Sequence, residues 1–269
     1  MITTDFVPGS PCWVDLGAPD VDAAAAFYGA VFGWDFERFV LEGGDFGDFG
    51  LFRLHGRTVG AVGELTEEGA RPAWMIYFRA LDVEVTTWAA MRAGGAVRRE
   101  PGDVRDAGRM AQLTDPLGAE FAVWQPREVR GFGAADLPGA LCWTELYTTD
   151  AAAAKEFYGS LFGWKTDDMP LPGGNGGTYT VITPAGESQE RMQGGLMEMA
   201  PEFLALNGGR PYWHPVFAVE DCDAAAARVT GNGGSLQMGP EDAEGVGRLA
   251  VCLDPAGADF VLLTPAPPA

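Results

Sequence analysis

The chain has 269 residues, 47% of them hydrophobic and 21% charged, with a formal net charge of −20. That composition describes a folded protein with one large core or two ordinary ones, not a disordered or fibrous chain. The acidity argues against a phosphate-backbone partner and an anionic membrane surface, both of which are bound through Lys and Arg, and it allows neutral or cationic ligands. The N-terminus, MITTDFVPGSPCW, has neither a basic nor an apolar leader region. No run approaches the roughly 20 apolar residues of a membrane span. Cys12, Cys142, Cys222 and Cys252 form no CxxC pair and no dense framework. The expectation is a reduced, cytoplasmic, soluble protein with no nucleic-acid or membrane partner, monomeric or homodimeric.

In chain order, CWVDLGA (12–18) alternates and predicts a strand. Asp20 is placed to cap a helix through the strong formers Ala23–Ala26, with Ala23, Phe27 and Val31 on one face and Gly33 stopping it. Strands are expected at 49–54, 59–64 and 73–79, and a second helix over 82–93 that ends at Gly94-Gly95. The segments 109–114 and 119–124 read as a hairpin. Its connection, Asp115-Pro116-Leu117-Gly118, suits a type I turn. Residues 126–137 have no apolar period and read as a linker.

The pattern then starts again. PGSPCWVDLGAPDVDAAAAFYGAVFGW (8–34) matches PGALCWTELYTTDAAAAKEFYGSLFGW (138–164), so Trp13 aligns with Trp143 and Asp20 with Asp150. PAWMIYFRALD (72–82) aligns with PYWHPVFAVED (211–221), Arg109 with Arg248, and DPLGAEF (115–121) with DPAGADF (254–260). The second copy carries a net nine-residue insertion, placed either in the Gly-rich stretch 170–177 or in 184–207. The Gly-rich stretches 41–50 and 170–177 are expected to be hairpin loops. Neither fits a phosphate-binding motif.

The strand–Asp–helix FYxxxFGW stretch and the later DPxGxxF turn, each present twice, resemble the vicinal oxygen chelate superfamily of glyoxalases, bleomycin-resistance proteins and extradiol dioxygenases. The likeness is to its two-module actinomycete members. It implies an α+β fold: two tandem βαβββ modules, at 6–133 and 134–269, with curved mixed sheets forming a cup for a ligand or metal. It also implies six metal-ligand positions, which fall here on Trp13, Met75, Ala122, Trp143, His214 and Val261. Only His214 fills its role, and about three protein ligands are needed. No cofactor is therefore expected, a divalent metal at His214 with Glu145 and Asp259 or Glu198 being the one exception.

The candidate ligand-binding residues are Trp13, Trp143, Met75, Tyr77, Tyr147 and His214. The two indoles either floor an aromatic site or fill space left by a lost metal. His214 is either a general base or a buried neutral imidazole. Asp15 and Glu145 share the Trp13 and Trp143 strand faces. They read either as acid–base groups or as partners of Arg79, Arg109 or Arg248. The candidate catalytic set is His214, Glu145 and Asp15. Cys12 and Cys142 fall on the core side, and His55 in a turn. Two functions follow: metal-independent binding of a hydrophobic, aromatic natural product, or a natural-product tailoring enzyme acting through His214 with Glu145 or Asp15.

Overall fold

A computed structural model describes residues 1–39, 49–67, 69–171 and 177–267. Most of each Gly-rich stretch lies outside the described residues. The first copy runs β1 (Pro11–Ala18), α1 (Val21–Phe32), β2 (Asp35–Phe39), β3 (Phe49–Leu54), β4 (Arg57–Glu64), β5 (Ala73–Arg79), α2 (Val83–Arg92), β6 (Ala96–Val104), β7 (Gly108–Thr114) and β8 (Glu120–Pro126). The second runs β9 (Leu141–Thr148), α3 (Ala151–Phe162), β10 (Lys165–Pro170), β11 (Thr178–Thr183), β12 (Gly194–Glu198), β13 (Tyr212–Ala218), α4 (Cys222–Gly231), β14 (Ser235–Ala243), β15 (Gly247–Leu253) and β16 (Asp259–Pro265). The class is α+β, with two tandem modules of mixed sheet. Each module makes the βαβββ pass twice.

The helix starts follow one device. Asp20, Asp82, Asp150 and Asp221 each sit in extended backbone before a helix, and each side chain accepts from the amide three residues on. Gly33 and Gly163 close α1 and α3 at φ 72° and 67°, where any Cβ would be strained. Strands β2, β6, β10 and β14 were not legible in the sequence. They lie at sheet edges and carry charge and proline (DFERF, AVRREPGDV, KTDDMP, SLQMGPEDA), the composition that keeps an edge from pairing with another chain.

The chain forms two compact units, and each takes half of each copy. Unit one is Met1–Trp13, Ile76–Gly131 and Trp143–Trp213; unit two is Val14–Met75, Phe132–Cys142 and His214–Ala269. In unit two, Tyr28, Phe32, Trp34, Phe52, Trp74 and Phe217 make a nested aromatic core, and Trp34 Nε1 donates to Gly139 O at 2.7 Å. In unit one, Phe78, Phe121, Tyr158, Phe162, Trp164 and Trp213 do the same, and Trp164 Nε1 donates to Gly9 O at 2.8 Å. The FGW tryptophan of each copy thus reaches the PG dipeptide that opens the other. Among the described residues no helix is long and apolar enough to cross a membrane.

The DPxG turn forms as expected, and its Asp does more than turn the chain. Asp115 Oδ1 accepts from the Leu117 and Ala119 amides, and Asp254 Oδ1 from those of Ala256 and Ala258, all at 2.9 Å. The second oxygen of each is met by a buried phenol: Tyr158 to Asp115 and Tyr28 to Asp254, both at 3.2 Å. Trp213 Nε1 donates to Tyr158 Oη at 2.8 Å, and Trp74 Nε1 to Tyr28 Oη at 3.0 Å. Each unit is therefore latched by a Trp–Tyr–Asp chain made from the repeated WxxxF, FYG and DPxG segments. Burial pushes both carboxyls up and both phenols well up.

Candidate functional site

The second copy's sheet face lies in unit one. Trp143, Glu145 and Tyr147 alternate on β9, so their side chains share a face. On β12, Gly195 pairs with Glu145 and Met197 with Tyr147; on β11, Tyr179 pairs with Met197. Tyr179 crosses β12 diagonally to reach Glu145, and only a glycine leaves room for it. A Cβ at Gly195 would lie 1.9 Å from Tyr179 Oη. Trp143 Nε1 donates to that oxygen at 2.8 Å, and the phenol donates onward to Glu145 Oε1 at 2.8 Å. Tyr147 is hydrogen-bonded to the same carboxylate. Burial and the Glu145 charge push both phenols well above their ordinary range, so they remain donors. A carboxylate held by two protonated phenols is a satisfied anchor. Tyr147 meets Tyr212 edge-on at 5.6 Å, and Leu204, fully buried, packs with Met197 and Met199 against the pair. This face is filled by its own side chains.

Part of the filling comes from the insertion. Asp15 pairs with Ala61 where Glu145 pairs with Gly195, so four of the extra residues fall between β11 and β12. The remaining five fall between β12 and β13, in the segment that holds the 3₁₀ turns Pro201–Asn207 and brings in Leu204.

The first copy's matching face lies in unit two and is built from small residues. Gly17 stands where the second copy has Tyr147, Gly63 where it has Met197, Ala73 where it has Tyr212, and Phe49 where it has Tyr179. Asp15, Gly17, Phe49, Leu51, Gly63, Ala73 and Met75 are all half-buried rather than buried. Leu65 leans over Gly17, its Cδ2 2.7 Å from where a Cβ would stand.

His214, on β13, is fully buried in unit two. Its Nδ1 lies 3.1 Å from Asp259 Oδ2, and Asp259 Oδ1 lies 3.3 Å from Arg71 Nη2. Arg71 also donates to Gly257 O at 3.3 Å. The imidazole is thus oriented by a carboxylate that is itself held by a guanidinium.

The donor set does not fit a metal centre. Five of the six positions at which the resemblance implies ligands carry Trp, Met, Ala or Val. Asp259 is engaged by His214 and Arg71, and Glu198 caps α3, accepting from the Ala151 amide at 2.9 Å. Among the described residues no three His, Cys, Asp or Glu side chains converge.

Among the candidate ligand-binding residues, Trp13, Met75 and Trp143 are half-buried, while Tyr77, Tyr147 and His214 are buried. One expectation needs correction. Arg109 bridges Glu84 and Asp103, and Arg248 bridges Asp223 and Asp242, all on the exposed side. The pairing recurs in both copies, but it ties a helix's first turn to an edge strand, away from Asp15 and Glu145. Cys12 and Cys142 are buried and donate to the Tyr77 and Val216 carbonyls, and burial pushes both thiols up. His55 occupies the exposed β3–β4 turn at φ 50°. Gly195 and Leu204 were not singled out as site residues; Tyr179 was a candidate only as a polar tip of an aromatic pocket, because nothing local distinguishes a tyrosine that reaches across a neighbouring strand.

Residues 12–123 and 140–262 both match the model of the Glyoxalase/Bleomycin resistance protein/Dioxygenase superfamily. The chain is 36% identical over 273 residues to the anthracycline biosynthesis protein DnrV of Streptomyces peucetius, covering 96% of this chain and 94% of that one. It is 35% identical over 267 residues to the CFP32 protein of Mycobacterium tuberculosis (strain CDC 1551 / Oshkosh), covering 98% of each. Among solved structures, the Mn(II)-bound glyoxalase from Novosphingobium aromaticivorans superposes with a TM-score of 0.61 at 18% identity, over 97% of this chain and 88% of that one.

Proposed function

The chain belongs to the glyoxalase/bleomycin resistance/dioxygenase superfamily, and from that premise we propose that it binds a small hydrophobic, aromatic natural product without a metal. The site we assign is the first copy's sheet face in unit two: a floor of Gly17, Gly63 and Ala73, with Leu51 and Met75 as apolar lining and Asp15 as the polar group. The observation that carries this reading is the contrast between the copies. The second copy fills the same face with Tyr147, Met197, Tyr212 and Leu204. The first leaves it floored with glycine and alanine, and half-buried. A floor of glycine and alanine suits a planar ring system, and a few polar groups in an apolar site suffice to orient a ligand. The relative named for anthracycline biosynthesis points toward a polycyclic aromatic. Sequestration or handling of such a compound is the biological role that follows.

The experiment is a tryptophan-fluorescence titration with polycyclic aromatic phenols, with and without chelator. Saturable quenching at micromolar ligand, unchanged by chelator and lost in Gly63→Trp, is the expected result. Absence of quenching across the panel would sink the reading. Near-stoichiometric transition metal in protein purified without chelator would sink its metal-free part.

A tailoring enzyme is the second reading, and the Arg71–Asp259–His214 chain favours it, since a carboxylate behind an imidazole fixes its tautomer and orientation. In that reading His214 moves the proton, with Asp15 as the charged partner; Glu145, held by its two phenols, is not available for it. Conversion of a phenolic or carbonyl ligand, followed by mass spectrometry, should then vanish in His214→Asn. Turnover surviving in a His214→Asn/Asp15→Asn double variant would remove this assignment.

A further inference from the structure

Helix α2 is apolar on two sides. Val83, Thr87 and Ala90 are buried on its inner face, as a surface helix requires. Its outer side carries Leu81, Val85, Trp88 and Met91, which are 71%, 62%, 59% and 54% exposed. These residues recur at spacings of three and four, so they form a continuous stripe rather than scattered side chains. The matching positions on α4 are Glu220, Ala224, Ala227 and Thr230, all exposed and all small or polar. The repeat therefore has a solvated form of this helix and an apolar one, and only α2 is apolar. The four side chains expose on the order of 400–500 Å², a patch size that on a monomer is often functional. That is more than half of the ~800 Å² each partner contributes to a standard interface.

We propose that this stripe is the two-fold interface of a homodimer, with α2 packed antiparallel on α2 of a second copy. A two-fold contact has to be complementary to itself, and α2 is. Asp82, the helix cap, and Glu84, bridged to Arg109, stand exposed at its N-terminal end, and Arg92 at its C-terminal end. The Arg92 guanidinium lies 4.7 Å from the Trp88 ring centroid, at the edge of the stripe. Antiparallel packing sets the acidic end of each helix beside the partner's Arg92, opposes the two helix dipoles, and puts Val85 and Trp88 at the dry centre. A partner with a uniformly acidic or uniformly basic rim would satisfy only one end.

The test is sedimentation equilibrium on the full chain between about 1 and 200 µM. The wild type should be a dimer with a micromolar dissociation constant. Trp88→Glu should be a monomer throughout, weakened at least 100-fold, with an unchanged circular dichroism spectrum because the indole is exposed. Arg92→Glu should weaken the dimer about tenfold, and Arg92→Lys should keep most of the affinity. A wild type that is monomeric at 200 µM, or a dimer indifferent to Trp88→Glu, would overturn the proposal. These outcomes are read without any ligand, so they stand apart from the ligand titrations.

Discussion

The β1–β4 face of the first copy and the β9–β12 face of the second began from one pattern and now do opposite things. Both have a tryptophan and then a carboxylate on the first strand, Trp13 and Asp15 in one, Trp143 and Glu145 in the other. In the second, the carboxylate anchors phenols, and an inserted segment lowers Leu204 onto them. In the first, glycine and alanine take the places of Tyr147, Met197 and Tyr212, and the face stays half-buried. Duplication thus left one face half-buried while the other turned into core. Substitutions on this face and inserted residues in two connections change it, while the β1–β4 pairing register is kept in β9–β12.

The largest effect that would test this contrast is at the plug. Leu204→Ala should destabilise the protein by about 2–5 kcal/mol in urea unfolding, the range for emptying a packed leucine site. A loss well below that would mean the second face is not sealed by the insertion. The latches should behave alike in the two copies. Tyr28→Phe and Tyr158→Phe each strip a buried carboxyl of its phenol and should each cost about 1–3 kcal/mol. Markedly unequal losses would show that the divergence reaches beyond the sheet faces.

A smaller and sharper contrast lies at the paired position Ala61/Gly195. Gly195→Ala should cost about 1–3 kcal/mol, because the new methyl displaces the Tyr179 phenol, and the emission of Trp143 should shift as its hydrogen bond breaks. The reciprocal Ala61→Gly should cost only about 0.5–1 kcal/mol, the ordinary loss for glycine in a strand. Equal costs would refute the diagonal path of Tyr179.

The smallest effect concerns the exposed pairs. Arg248 hydrogen-bonds Asp223 and holds its carboxyl below the ordinary range. A folded-state value below the unfolded one means that the contribution is present above the ordinary carboxylate pKa and fades as pH falls through the folded value. Wild type and Arg248→Met should therefore differ most near neutrality, and the gap in urea midpoint should close toward about pH 3. A gap that persists there would assign the effect to packing of the arginine stem.

Much of the framework was legible. The duplication, the capping aspartates, the DPxG turn and strands such as 73–79 are local signals, each set by residues within a few positions of one another. The edge strands were not, since an edge is made of the charge and proline that also mark loops. The insertion was legible as a length and as two alternative places. Its partition between the β11–β12 and β12–β13 connections emerged only from strand register. Of the candidate site residues, the tandem tryptophans and carboxylates were visible from repetition, and their roles were not. Glu145 is a phenol anchor and His214 is backed by Asp259 and Arg71 because strands far apart in sequence bring those groups together.

By itself, then, the sequence determined the family, the repeat and the order of the helices and inner strands, because capping, periodicity and turn chemistry act over a few residues. It also shows that five of the six positions at which the resemblance implies ligands carry Trp, Met, Ala or Val, since side-chain identity is a property of the residue. Tertiary structure alone decided that each compact unit takes half of each copy, with the FGW tryptophans reaching across to Gly9 and Gly139. It alone decided which sheet face is closed, because closure depends on whether a side chain such as Tyr179 finds an empty position on the neighbouring strand, and no local pattern encodes that vacancy.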